Sequence, residues 1–302
     1  MFVISRKCVS YFFHSVKNAR YFSKSSTYKM ISKSLSSNEV TVEILEGNDE
    51  GIIVFGLNRS SARNALGNSL TTGLMNAVEK IHLDTNARVV ILRSLVPGVF
   101  CAGADLKERI KLTNSEVSAT VARLNTLATA IENIPVPTIA AIDGAALGGG
   151  LEITLGCDIR IVSEDAKLGL VETKWAIMPA AGGSQRLPRI INPSIAKELI
   201  FCARVVDGNE AKDIGLANYV MKQNSSSDAA FQKALVIARK ILVNGPLGVR
   251  NAKISINRGL ETDILTGCKI EQLCYAQVIP TKDRIEGLTA FKENRTPKYK
   301  GE

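Results

Sequence analysis

Three short apolar runs limit what this chain can fold into: RVVILRS (88–94), TIAAIDG (138–144) and CDIRIVS (157–163). Each has the length of a buried strand and is too short for a buried helix. Between the first two lies SEVSATVARLNTLATAIENI (115–134), whose apolar residues recur at helical spacing and which Pro135 and Pro137 bring to a stop. Short strands alternating with helices and loops predict an α/β core. Upstream, VTVEIL (40–45) and GIIVFGLN (51–58) read as a strand pair around EGNDEG, and SLTTGLMNAVEKI (69–81) reads as a helix. The stretch LVPGVFCAGAD reads as a loop, and the helix at 115–134 opens on a capping-box-like start at Ser115. From about Ser194 the apolar spacing is helical in most segments, so the C-terminal third is predicted to be mostly helix.

The formal net charge of +9 would point to an anionic partner if it were spread over the fold. Arg6, Lys7, Lys17, Arg20, Lys24, Lys29 and Lys33 precede the first acidic residue, Glu39, so most of the excess sits in residues 1–38. A basic, serine-rich, acid-free leader is the composition of a mitochondrial transit peptide, with Arg20-Tyr21-Phe22-Ser23 as a processing region. Import into the mitochondrial matrix is the expectation. The six cysteines show no C-x-x-C spacing and suit free thiols in a reduced compartment. Of the two histidines, His14 lies in the leader, which leaves His82 alone in the mature chain. That count argues against a histidine-built zinc site and against a Ser-His-Asp site, and GGSQR does not match the G-x-S-x-G pattern. No apolar run reaches the roughly 18 residues of a membrane-spanning helix.

Three stretches carry candidate chemistry. In DGAALGGGLE (143–152), contiguous Gly148, Gly149 and Gly150 follow a strand and open a helix-like segment two residues before Glu152. Without a G-K-[ST] ending this is not a phosphate loop. Free N–H groups at a helix start attract negative charge, and glycine equally permits backbone to pack on backbone; both readings stand. Glu152 is a reaction carboxylate or an ordinary first-turn acid. CAGADLKE (101–108) places small residues after a strand, so each stretch could lend one backbone N–H to a shared oxygen. In GLVETKWAIMP (169–179), Glu172 has apolar neighbours that would raise its pKa into the range of a general acid, unless it is a surface glutamate.

Together, in this order, FCAGADLKE, PTIAAIDGAALGGGLEITLGCDIRI, AKLGLVETKWAIMP and GGSQRLPR resemble the enoyl-CoA hydratase (crotonase) family, and the likeness runs from about Thr41 to Glu302. The resemblance implies a crotonase-type spiral of ββα units with a C-terminal helical region that mediates trimers, often paired into hexamers. It divides the chain into a leader at 1–38, a spiral core at 39–235 and a helical region at 236–302. It also implies site roles. The amides of Ala104 and Gly149 would form an oxyanion hole for the thioester, while Glu152 and Glu172 would transfer the protons of water across the 2,3 double bond. Ala102, Asp105, Leu106, Lys107, Gly148 and Ala180 are candidates for binding the acyl-CoA. No metal and no separate cofactor is implied, since coenzyme A is part of the substrate. The mitochondrial branch most resembled hydrates 3-methylglutaconyl-CoA in leucine degradation. A broader short-chain enoyl-CoA hydratase or isomerase is the alternative, and an RNA-binding protein on the same fold is an alternative of another class.

The sequence departs from the family pattern in two places. Ala180 stands where many hydratases have glycine, and Asn294, between Lys292 and Arg295, stands where a lysine is often linked to the coenzyme A phosphates. RNA-binding members carry a row of lysines on the helix after NAL. The matching positions here are Asn68, Thr72 and Asn76, which offer phosphates no charge and argue against RNA as a partner.

Overall fold

The computed structural model describes residues 39–302, so the leader expected at 1–38 lies outside the described residues. Strand β1 (Val40–Ile44) pairs antiparallel with β2 (Ile52–Leu57), in the register Val42↔Phe55. From β2 the large sheet grows by parallel pairing through β3 (Val89–Ser94). Further along the chain come β4 (Val99–Cys101), β5 (Thr138–Ile142), β6 (Ala145–Leu147), β7 (Ile159–Ser163), β8 (Leu168–Gly169) and β9 (Tyr219–Met221). The large sheet has the order β1-β2-β3-β5-β7-β9, and a small parallel sheet has the order β4-β6-β8. Since β4 follows β3, β6 follows β5 and β8 follows β7, each coil of the chain lays one strand on the large sheet and the next on the small one. This is the spiral expected from the sequence.

The corners between the sheets stack on one another. A Cβ on Gly144, between β5 and β6, would fall on the backbone of Gly98 and Val99 in the preceding coil. Only glycine allows the coils to close to that distance.

Eleven helices occur among the described residues. Of those that shape the site, α1 (Asn68–Leu83), α2 (Leu106–Arg109), α3 (Asn114–Glu132), α4 (Gly149–Leu155) and α5 (Gly183–Ile190) lie in the first two thirds. After α6 (Pro193–Phe201) and α7 (Gly208–Asp213), the chain continues through α8 (Ala229–Leu242), α9 (Pro246–Gly259), α10 (Ile264–Val278) and α11 (Lys282–Lys292). The inner strands β2, β3, β5 and β7 are largely buried on both faces, which is why they read as apolar runs. Ile53, Phe55, Val90, Leu92, Ala140 and Ile142 join the main core with α1 and α3. Their alternates Ile52, Val54, Val89, Ile91, Ile139 and Ala141 meet Ala230, Ala234 and Ala238 of α8. Alanines four apart let that helix lie close on the sheet.

Asp143, the residue before the Gly144 corner, accepts the amides of Ala230 at 2.7 Å and Phe231 at 3.1 Å, and so caps α8 from 87 residues away. Helix α9 is anchored by Lys253, whose ammonium meets Asp158 at 2.7 Å and the Val136 carbonyl at 3.0 Å.

Three sequence expectations differ in detail. The stretch read as a loop before Asp105 contains β4, a strand of three residues on which no period can be seen. Helix α3 is capped two residues earlier than expected: the Thr113 hydroxyl accepts from the Glu116 amide while Glu116 accepts the Thr113 amide at 2.8 Å. The boundary expected at 235/236 falls inside α8, an uninterrupted helix whose alanine row lies on both sides of it.

Candidate active site

The site is assembled from two successive coils. On the first, Leu66 donates to the Gly103 carbonyl at 2.7 Å, which pins the loop after β4 beneath the start of α1. On the second, β6 runs into α4 through Gly148. The pairing of Cys101 with Ala146 sets these two loops side by side. Gly150 presses on Cys101 so closely that a Cβ there would overlap the Cys101 backbone.

The two expected amides lie close together. A Cβ on Gly149 would stand 3.7 Å from the Ala104 nitrogen, and a Cβ on Gly103 would stand 3.6 Å from the Gly149 nitrogen. Each donor follows a glycine at positive φ: Gly103 at 99° before Ala104, and Gly148 at 50° before Gly149. That conformation is costly for any residue with a Cβ. Neither N–H reaches an acceptor among the described residues. Gly149 is the first residue of α4, where the helix itself supplies no acceptor.

Both carboxylates face the same cleft, in different states. Glu152 is 3% exposed, and its Oε1 accepts the amides of Ala181 at 2.8 Å and Gly183 at 2.7 Å. Burial raises its pKa, against the pull of those two amides and of the Arg186 and Arg109 charges. Glu172 begins the 3₁₀ turn Glu172–Trp175. Its Oε2 is buried without a hydrogen-bond partner. Burial, with a contribution from the Glu152 charge, pushes its carboxyl up to about 7.

Ala102, Ala104, Leu106, Gly148, Gly149 and Ala180 line the cleft together with the two glutamates. Ala180 has a negative φ, so replacing glycine here strains nothing. Its amide points to no acceptor among the described residues. Asp105 and Lys107 do not line the cleft. Asp105 instead caps α2 by accepting the Lys107 and Glu108 amides, and it pairs with Arg59 at 2.8 Å. Arg59 also pairs with Glu39 at 3.0 Å and Glu108 at 3.2 Å, and Glu108 in turn accepts the first amide of α1. This network holds the Ala104 loop in place. It is illegible in the sequence because Arg59 lies 46 residues from Asp105.

Arg109, at the end of α2, is the one basic side chain lining the cleft among the described residues, and no ion pair or side-chain hydrogen bond holds it there. Sequence reasoning did not single it out. Trp175, Ile177 and Met178 supply an apolar rim and remain well exposed.

Two of the three positions that bear on RNA are otherwise engaged, and the third, Asn76, is exposed and uncharged. Asn68 accepts from Arg123 of α3 at 2.8 Å, and Thr72 bonds the same guanidinium. Asn294 ends α11 at φ 54°, a left-handed position that asparagine tolerates better than lysine. Neighbouring Arg295 is committed to Glu286 and Glu293. Among the described residues no helix is long and apolar enough to cross a membrane.

A family model described as enoyl-CoA hydratase/isomerase matches residues 47–302. The chain is 55% identical over 267 residues to human mitochondrial methylglutaconyl-CoA hydratase, covering 88% of this chain and 79% of that protein. It is 49% identical over 263 residues to mouse mitochondrial enoyl-CoA hydratase domain-containing protein 2, covering 87% and 89%. Among solved structures, an enoyl-CoA hydratase from Bacillus anthracis superposes with a TM-score of 0.83 at 45% identity, over 87% of this chain and all of that one.

Proposed function

The chain belongs to the enoyl-CoA hydratase/isomerase family, and from that premise we propose that it adds water across the 2,3 double bond of 3-methylglutaconyl-CoA, giving 3-hydroxy-3-methylglutaryl-CoA, in the mitochondrial matrix. The observation that carries the reading is the meeting of two unengaged amides and two unequal carboxylates in one cleft.

The Ala104 and Gly149 amides bind the thioester oxygen and draw electrons from C3. Ionised Glu152, held by its two amide donors, takes a proton as the water oxygen bonds to C3. Glu172, with a carboxyl near 7, delivers a proton to C2. The Ala180 amide is available to hold the water. The pair carries one proton, and reversal of the reaction exchanges its location. These groups all belong to this chain, and the reaction requires neither a metal nor a redox cofactor.

A glutaconyl group ends in a second carboxylate. Placing it beside Glu152 and Glu172 would be repulsive without a cation, and Arg109 is available to supply one. This supports a dicarboxylic acyl chain over a neutral one. Relatives at 55% identity named as mitochondrial methylglutaconyl-CoA hydratases in human and mouse support both substrate and compartment. Homotrimers, single or paired into hexamers, are supported by the apolar side chains exposed on α9, at its C-cap Leu260 and on α10, among them Ile256, Ile264, Leu265 and Leu273. RNA gains no support from α1, where Asn68 and Thr72 are taken by Arg123.

The test is kcat/KM across a panel of enoyl-CoA esters, with product identification. Preference for 3-methylglutaconyl-CoA with a 3-hydroxy product is expected. Preference for a neutral ester, or a product with a shifted double bond, overturns the reading.

A further inference from the structure

Glu152 is held by a turn rather than by other side chains, and something must hold that turn. Both of its donors, Ala181 and Gly183, lie where the chain enters α5. Arg186, in the first turn of α5, folds back over it. The Arg186 Nη1 donates to the Ala181 carbonyl at 3.3 Å, so one residue, Ala181, bonds Glu152 through its amide and Arg186 through its carbonyl. A Cβ on Gly182 would fall on the guanidinium, and Gly182 itself has φ 98°. The far side of the guanidinium is fixed to the end of α3: Nη2 and Nε donate to Glu132 at 2.6 and 3.0 Å, and Nη2 also donates to the Thr129 hydroxyl at 3.1 Å. The Arg186 side chain is 15% exposed and that of Glu132 41%, so the guanidinium is shielded while the carboxylate stays open to solvent.

We propose that Arg186 is a positioning residue for Glu152, and that the Glu132–Arg186 pair locks helix α3 to the turn that holds the carboxylate. This rests on the reading of Glu152 as the group that takes the proton from water. The charged groups facing Glu152 are Glu172 from the 3₁₀ turn, Arg109 from α2 and Arg186 from α5. Arg186 is therefore both a brace and a positive charge, and Glu132 offsets that charge while holding the brace.

The two functions have opposite signatures in the two partners. Arg186→Gln loosens the turn and removes a cation that favours ionised Glu152. Expected are a fall in kcat of about ten- to a hundredfold, little change in KM, and an acid limb of the kcat profile moved to higher pH. Arg186→Lys restores the charge and so returns the limb toward wild type, while the planar fork is not restored. Glu132→Gln leaves Arg186 its bonds to Thr129 and Ala181 and unmasks its charge, so the acid limb moves to lower pH with a smaller loss of kcat. Limbs that stay put in all three folded variants, or that move in the same direction for Arg186→Gln and Glu132→Gln, overturn the proposal. Glu152→Gln is run in parallel. If it keeps wild-type kcat, the reading of Glu152 fails, and that result is distinguishable from unshifted limbs in an enzyme that still needs Glu152.

Discussion

Glu172 rests against Gly148: a Cβ at 148 would stand 3.2 Å from Glu172 Oε1, close enough that the carboxyl would have to give way. The carboxyl therefore sits directly above the residue that precedes the Gly149 amide, on the path of a substrate bound there. Glu172→Gln keeps the shape and removes the transferable proton. Steady-state kinetics should show kcat lowered by about 10²–10⁴-fold with little change in KM. The wild-type enzyme should lose hydration activity as pH rises through about 7, and the variant should lack that alkaline limb.

The same substitution has a consequence for stability. Burial raises the folded pKa of Glu172 from the ordinary glutamate value of 4.5 to about 7. Its contribution to stability is thus full below the unfolded pKa and is lost as pH rises through about 7. Glu172→Gln should melt higher than wild type at pH 8, by about 1–2 kcal/mol after allowance for solvent screening, and the difference should vanish toward pH 4. Thermal denaturation at the two pH values measures it.

Gly149 allows a single donor to be removed. As the first residue of α4 it makes no internal N–H bond, and proline is tolerated at that position of a helix. A Cβ at 149 would stand 3.1 Å from Leu66 Cδ1, so that side chain must shift slightly; Gly149→Pro that keeps near-native circular dichroism should lose about 10²–10³-fold in kcat.

Arg109 bears on the substrate rather than on the chemistry. Arg109→Gln should lower the ratio of kcat/KM for 3-methylglutaconyl-CoA to that for crotonyl-CoA by at least about tenfold, the scale of one lost charge-assisted contact. Competition between the two esters measures the ratio directly.

Self-association through α9 and α10 should appear in sedimentation velocity as a trimer or hexamer. Replacing Leu260 and Leu273, both exposed on the protomer, with glutamate should shift the population to monomers.

The large sheet is legible in the sequence because burial on both faces makes β3, β5 and β7 continuous apolar runs. The small sheet is not, since β4 and β6 have three residues each and β8 has two. The two glutamates and two small-residue loops are visible as chemistry, but their convergence depends on coil stacking, which no local pattern encodes. Arg59, Arg109 and Arg186 escaped for a related reason. Their significance lies in partners or neighbours distant in the chain, as with Arg186 and Glu132, 54 residues apart. The cap, Thr113, lies two residues before the expected Ser115 because several hydroxyl residues crowd the start of α3.

Ala104 and Gly149 belong to different coils, brought together by Gly144 resting on Gly98 and by Gly150 resting on Cys101. Neither loop alone is half as useful as the two together. The parallel pairing of β3 with β5 and of β4 with β6 is itself coil laid on coil. The event that completes the sheets is therefore the one that completes the site, and during refolding turnover should return no earlier than the sheet signal.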